Sequence, residues 1–335
     1  MAGTPRYVRK YIVGAFSVLA VCVSSCSLLE ADESTSQSAA TGDEHAQALG
    51  REMLAFPHPT GAPVAGALPG ETTRINLPSG RSYLVHLPEN YDPSQVWPLI
   101  LTFHGWGQNG QAMATATHFD AAQAISIYPD GAPSRPPNAD KKSWAPAPYA
   151  TASGEEDLQF VDEIINSARR TWAIDDSQLY AVGFSNGGGF AQYLACQRPA
   201  QFAAIATVSA AYYSKVVENC DPGTVGHLDI HGTDDQVVSY SGGKRHDTKF
   251  LSVPEIMDVA AQRNHCRGNV EHQRLIGGAE RTIYRDCVAP VDHIRINGGR
   301  HTWPGYSGNR TDAMPENFAT DKILDFFRIP GRPGS

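Results

Sequence analysis

The chain lacks an apolar run long enough to cross a bilayer: the best candidate, Ile12–Val23, falls short of the ~20 residues that a spanning helix needs. It also lacks any block of like charge, and its formal net charge of −8 comes from dispersed acidic residues. That balance excludes nucleic acid and an anionic membrane surface as main partners, because both require a basic face. No C-x-x-C pair occurs among the six cysteines, so a zinc site has little support. Internal repeats are missing too, as is a second linker between residues 70 and 328, which leaves one folded domain as the simplest reading.

What is present starts with a leader. Arg6, Arg9 and Lys10 precede Ile12–Val23, the charge-then-apolar order of a secretory signal. The run ends in Val23-Ser24-Ser25-Cys26, small residues before a cysteine as in a bacterial lipobox. Residues 1–25 are therefore expected to be a lipoprotein signal, with Cys26 lipidated on the outer face of the cell membrane. An ordinary secretory signal is the alternative, and Cys22 is a weaker lipidation candidate because bulky Val21 precedes it. Without the leader's three cations the mature chain is more acidic still. Residues 27–50 are rich in Ser, Ala, Thr and acidic residues and open a flexible tether, 26–65, that cannot bury enough surface to fold. A domain over 66–328 and a short tail, 329–335, complete the chain.

Within the domain, Thr73–Leu77 and Ser82–Leu87 flank Pro78-Ser79-Gly80 and predict a hairpin. Trp97–Phe103 (WPLILTF) is almost unbroken in apolar character, as in a strand covered on both faces. Ile125–Tyr128, Gln178–Gly183, Ala203–Val208, His227–Ile230 and Asp292–Ile296 are further strand candidates. Helical spacing appears around Leu158, Val161, Ile164 and Ile165, then Phe190, Tyr193 and Leu194. It returns at Ile256, Val259 and Ala260, and at Ile323, Leu324 and Phe327. Alternating strands and helices imply an α/β fold: a mainly parallel sheet with helices on both faces and a site at the strands' carboxyl ends.

That rule gives meaning to Gly183-Phe184-Ser185-Asn186-Gly187, a G-x-S-x-G placed between a strand and a helix. A serine hydroxyl becomes a nucleophile only when a base takes its proton. Two later strands end in suitable partners: His231-Gly232-Thr233-Asp234-Asp235, and Gly298-Gly299-Arg300-His301. Ser185, Asp235 and His301 follow the Ser, acid, His order of a nucleophile-elbow enzyme. Of the 12 histidines, His301 alone sits in a glycine-rich turn at the right strand end. His45, His58 and His246 read as solvated, His231 as a structural hydrogen-bonding residue, and His293 lies too early in its strand. An oxyanion needs two backbone N–H donors. Asn186 after the nucleophile and Trp106 in His104-Gly105-Trp106-Gly107 are the candidates.

Outside the leader four cysteines allow three pairings. Cys196 and Cys266 end helices, whereas Cys220 and Cys287 precede strands, so all four belong at the sheet's amino edge. Sequential disulfides, Cys196–Cys220 and Cys266–Cys287, are the expected pairing.

HGWGQNG, YPDG, GFSNGGG followed by LAC, HGTDDQVV and GGRHTWPG together resemble the esterase family of bacterial polyhydroxybutyrate depolymerase-like proteins and feruloyl or acetylxylan esterases. The resemblance spans residues 80 to 328 and implies an α/β-hydrolase fold with Ser185 as nucleophile, His301 as base and Asp235 as orienting acid. In H-G-T-x-D-x-x-V the family's acid is the fifth residue, which favours Asp235 over Asp234. Neither metal nor organic cofactor is implied, and the expected partner is a small-molecule or oligosaccharide ester. Arg300 stands where the family often has glycine, and Trp106 where it often has a smaller residue. No separate polymer-binding domain is evident. An acyltransferase on the same scaffold and a non-catalytic binding lipoprotein are the competing readings. The proline-rich loop Gly131–Ala152 is expected to overhang the site as a partial lid. Trp144 and Trp303 either stack on an aromatic acyl group or sugar, or pack their loops onto the domain.

Overall fold

The computed structural model describes residues 67–308 and 313–331. The signal, Cys26, the whole tether and the last residues of the tail lie outside them.

The hairpin forms as expected, β1 (Thr72–Asn76) against β2 (Ser82–His86), antiparallel. The main sheet continues with β3 (Trp97–Phe103), β4 (Ile125–Pro129), β5 (Ile174–Phe184), β6 (Ala204–Val208) and β7 (Gly226–Gly232). It is completed by β8 (Glu271–Arg274), β9 (Ala279–Tyr284) and β10 (Val291–Ile296). The ten strands lie in the order β1-β2-β4-β3-β5-β6-β7-β10-β9-β8. From β4 to β10 all neighbours are parallel, and antiparallel pairs flank this centre on both sides.

Strand pleating sorts the core into two layers. Leu99, Leu101 and Phe103 of β3 point to one face, with α2 (Gly154–Thr171) and α3 (Asn186–Gln197) packed over it. Ile100 joins the opposite layer with Val182, Leu228 and Ile230. That layer is closed by α1 (Gly110–Thr117) and α5 (Phe318–Phe327). A further helix, α4 (Val253–Arg263), buries Ile256, Met257 and Ala260 against Tyr212 and Val291. Both α2 and α4 start with reciprocal capping boxes, Ser153 with Glu156 and Ser252 with Glu255. Each box satisfies amide donors that a helix start otherwise leaves open.

Three elements of the main sheet and its flanking helices escape the sequence reading. β8 (EHQR) and β9 (AERTIY) sit at the sheet's edge, half-exposed and polar, with little of the apolar alternation that marks a strand. α1 is short and buries only Gly110, Met113 and Thr117. Both disulfides form as expected, Cys196–Cys220 and Cys266–Cys287, closing separations of 24 and 21 residues.

Candidate active site

β5 runs into Ser185 without a linker, and α3 begins at the next residue. Ser185 adopts φ 54°, ψ −116°, a backbone conformation that L-residues rarely hold and that lifts its side chain off the sheet. The turn is tight enough to require glycine at both ends. A Cβ at Gly183 would lie 2.0 Å from the Gly187 carbonyl oxygen, and one at Gly187 would lie 2.1 Å from that of Phe103. The strained residue is held in place by its own amide, which donates to the Val208 carbonyl at 2.9 Å. Its carbonyl accepts from Ala211 at 2.9 Å and Gly189 at 3.1 Å.

The loops after β7 and β10 are zipped together. The Thr233 amide donates to Ile296 O at 3.0 Å, Asp234 N to Gly299 O at 2.9 Å, and Gly298 N to Thr233 Oγ1 at 2.9 Å. This lacing brings His301 between the other two residues. Its Nε2 lies 3.0 Å from Ser185 Oγ, and its Nδ1 lies 2.7 Å from Asp235 Oδ2. Asp235 Oδ1 accepts the amides of Val237 at 2.8 Å and Val238 at 2.7 Å. Burial works against the Asp235 charge, but hydrogen bonds from His231, His301 and Val238 outweigh it and hold the carboxyl far below its ordinary range. Asp234 is exposed and faces away, so of the two adjacent carboxylates only Asp235 meets the histidine.

The loop after β3 packs against the serine: a Cβ at Gly105 would stand 3.3 Å from Ser185 Cβ. The amides flanking Trp106 are engaged, Gly105 N with Gln108 Oε1 and Gly107 N with Lys142 O, both at 2.9 Å. The Asn186 amide opens the first turn of α3, where helix geometry supplies no internal acceptor. His104 fixes the loop from beneath. Its Nε2 receives the Gly131 amide at 2.9 Å, so the hydrogen sits on Nδ1, 2.8 Å from Gly105 O. Burial lowers the His104 pKa to about 4, which keeps the ring neutral and this arrangement intact.

Of the two candidate stacking residues, neither ring is available to a ligand. Trp144 is 0% exposed, stacked on Phe190 at 5.1 Å, and its indole N–H donates to His104 O at 3.1 Å. Asn186 clamps its backbone, accepting from Trp144 N at 2.8 Å and donating to Trp144 O at 3.0 Å. Trp303 is 5% exposed, edge-on to Phe119, and donates to Thr320 Oγ1 at 3.1 Å. The packing reading therefore holds for both. Trp144 also pins the 131–152 loop at its centre, while Ser134 and Tyr149 of the same loop contact Trp106.

Missed by sequence is an aromatic wall beside the serine loop. The partly exposed Trp106 ring packs on Tyr149 at 4.8 Å and edge-on to His246 at 5.6 Å, with the Lys141 ammonium 4.3 Å from its centre. Its indole N–H reaches Ser134 Oγ at 3.0 Å. Tyr149 in turn meets Tyr213. His246, read as merely solvated, contributes an edge to this wall. The only signal for it in sequence was the departure at Trp106 itself.

The geometry agrees with what the chain resembles. The Esterase family model matches residues 76–271. "Feruloyl esterase C" of Emericella nidulans is 29% identical over 275 residues, covering 81% of this chain and 92% of that protein. "Probable feruloyl esterase C" of Aspergillus clavatus is 30% identical over 236 residues, covering 68% and 78%. Among solved structures, an acetyl xylan esterase from Aspergillus awamori superposes with a TM-score of 0.55 at 15% identity, covering 77% of this chain and 99% of that one. The chain belongs to the Esterase family, has feruloyl esterases among its relatives and the α/β-hydrolase fold, and is a carboxylic ester hydrolase.

Proposed function

We propose that the protein is a secreted, lipid-anchored serine esterase acting through Ser185, His301 and Asp235, with aromatic acyl esters such as feruloyl sugars as its substrate class. The observation that carries this reading is the unbroken hydrogen-bonded chain from Ser185 Oγ through His301 to Asp235, at 3.0 and 2.7 Å.

In the resting site His301 carries its hydrogen on Nδ1, toward Asp235, leaving Nε2 to accept from the serine. As Oγ attacks the ester carbonyl, its proton passes to Nε2, and buried Asp235 stabilises the imidazolium. The Trp106 and Asn186 amides receive the oxyanion. The carbonyl re-forms as the alkoxide leaves, protonated by His301 Nε2. Water then attacks the acyl-serine by the same route in reverse, restoring the free hydroxyl and releasing the acid.

The wall of Trp106, Tyr149 and His246 supports a flat acyl group. Its residues adjoin the loop whose Gly105 touches Ser185, and offset aromatic pairs of this kind stabilise by about 1 kcal/mol each. Acetyl-sugar and short hydroxyalkanoate esters are the smaller substrates that the same chemistry serves. The test is a panel of p-nitrophenyl, feruloyl, acetyl-sugar and hydroxybutyrate esters ranked by kcat/KM, repeated with Trp106→Ala. Feruloyl esters are expected to rank first and to lose about tenfold in the variant, with acetyl esters little changed. Equal losses on all esters would contradict the aromatic subsite. For the anchor, the native protein should partition into detergent, and Cys26→Ala should release it. A soluble native protein without acyl mass on Cys26 would contradict the lipidation.

A further inference from the structure

Strand β7 is buried along its whole length, yet every second residue of its His227-Leu228-Asp229-Ile230-His231 stretch is titratable. Leu228 and Ile230 face the apolar layer under α5, while His227, Asp229 and His231 share the opposite side. The neighbouring strands meet this face in register. Thr207 of β6 and His293 of β10 both pair with Asp229. Asp229 Oδ1 accepts from Tyr212 Oη and from Thr207 Oγ1, the latter at 3.1 Å, and its Oδ2 lies 2.9 Å from His293 Nδ1. His293 Nε2 meets Tyr240 Oη at 2.8 Å, and the Tyr240 ring stands edge-on to His231. A polar belt this deep in a parallel sheet costs stability wherever its groups lack partners.

It ends at the acid of the triad. His231 Nε2 lies 3.0 Å from the Val238 carbonyl and 3.3 Å from Asp235 Oδ2. A carbonyl can only accept, so the hydrogen is on Nε2 and is shared with the carboxylate. Asp235 thus has Oδ1 filled by two amides and Oδ2 divided between His301 and His231. We propose that His231 is a positioning residue for the triad acid: it grips Asp235 Oδ2 beside His301 and, backed by Asp229, sets how much negative charge the carboxylate offers the base. The inference rests on the triad reading given above.

The groups facing His231 are Asp229 on its own strand, Asp235 and Tyr240 on the following loop, His293 of β10 through Tyr240, and His301 through Asp235. Burial opposes a charge on His231, but the Asp235 hydrogen bond and the Asp229 charge outweigh it and hold its pKa above the ordinary histidine value. When protonated, a His231 that shares Oδ2 weakens the carboxylate's pull on the protonated base. Replacing His231 by an apolar residue removes both the grip and the charge, whereas glutamine retains a donor at the Nε2 position without the charge.

Steady-state pH profiles of His231→Leu, His231→Gln and Ser185→Ala on one p-nitrophenyl ester test this, with thermal melts as a fold control. His231→Leu should lose about ten- to hundredfold in kcat, the weight of a hydrogen bond to a charged group, with KM little changed. Its acid limb of kcat/KM should move to higher pH, because an unshared Asp235 favours the protonated base. His231→Gln should recover most of kcat while keeping the shifted limb. A folded His231→Leu with wild-type kcat and limb overturns the inference, as does a glutamine variant with wild-type acid limb. If His231→Leu fails to fold, the glutamine limb alone decides. Hydrolysis surviving in Ser185→Ala would instead overturn the triad, so the two failures are distinguishable.

Discussion

The carboxyl and amino edges of the parallel sheet are built on opposite principles. At the carboxyl edge the chain holds a strained Ser185, a buried carboxylate on Asp235 and a neutral buried His104. Each is costly and is held by a lattice of backbone hydrogen bonds. At the amino edge, Cys196 near the end of α3 joins Cys220 ahead of β7, and Cys266 after α4 joins Cys287 ahead of β10. Asn219, His265 and Asp286 beside these cysteines hold positive φ, but they are the residue types that tolerate the left-handed region best. The comparison teaches that reactivity and covalent stabilisation are separated by the length of the strands, so each can be removed without the other.

The largest effect should come from the carboxyl edge. Ser185→Ala should lower kcat by about 10⁴- to 10⁶-fold, and His301→Ala by a similar factor, with melting temperatures close to wild type. Asp235→Asn should be milder, and Asp234→Asn nearly silent because that side chain is exposed. Parallel activity and melting curves check the separation. A variant that loses activity only by unfolding would break it.

The amino edge should behave in reverse. Replacing Cys196 and Cys220 together by serine should cost about 3 kcal/mol of stability, the loop-closure value for a loop of this size. The same holds for Cys266 and Cys287. kcat at 25 °C should stay within about twofold, and denaturant unfolding beside initial rates reads both quantities. A large fall in kcat of the folded variant would show that the two edges are coupled.

A smaller effect sharpens the contrast within the carboxyl edge itself, where Asp130 is structural. It accepts the Gly110 amide at 2.8 Å and contacts Arg74 and Lys142 at 2.9 Å each. Burial would raise its pKa, but these donors prevail and bring it down to about 2. With the folded pKa depressed, the stabilisation is complete above the unfolded carboxyl's value of about 4 and is lost as pH falls toward 2. Asp130→Asn should therefore cost at most about 2 kcal/mol at pH 7, and the gap from wild type should close between pH 5 and pH 2. A gap independent of pH would contradict the ionic account.

The meeting of Ser185, His301 and Asp235 was legible in sequence because each follows a recognisable strand and sits in a short motif of its own, and the strand-end rule then supplies the geometry. The disulfide pairing was legible for the same topological reason. Trp144 and Trp303 were not, because a tryptophan in a proline-rich or glycine-rich loop carries no mark of whether it faces solvent or core. The strands β8 and β9 were missed because edge position removes the apolar alternation that central strands show. The polar face of β7 was written in plain alternation, His227, Asp229, His231, but its meaning depends on Thr207 and His293, which only register brings beside it.

The central claim, that hydrolysis proceeds through an acyl-enzyme on Ser185, is tested most directly by fluorophosphonate labelling followed by peptide mapping. One adduct per chain, on the peptide carrying Ser185 and abolished in Ser185→Ala together with ester hydrolysis, is the expected result. An adduct on another residue, or hydrolysis that persists in a folded Ser185→Ala, would contradict it.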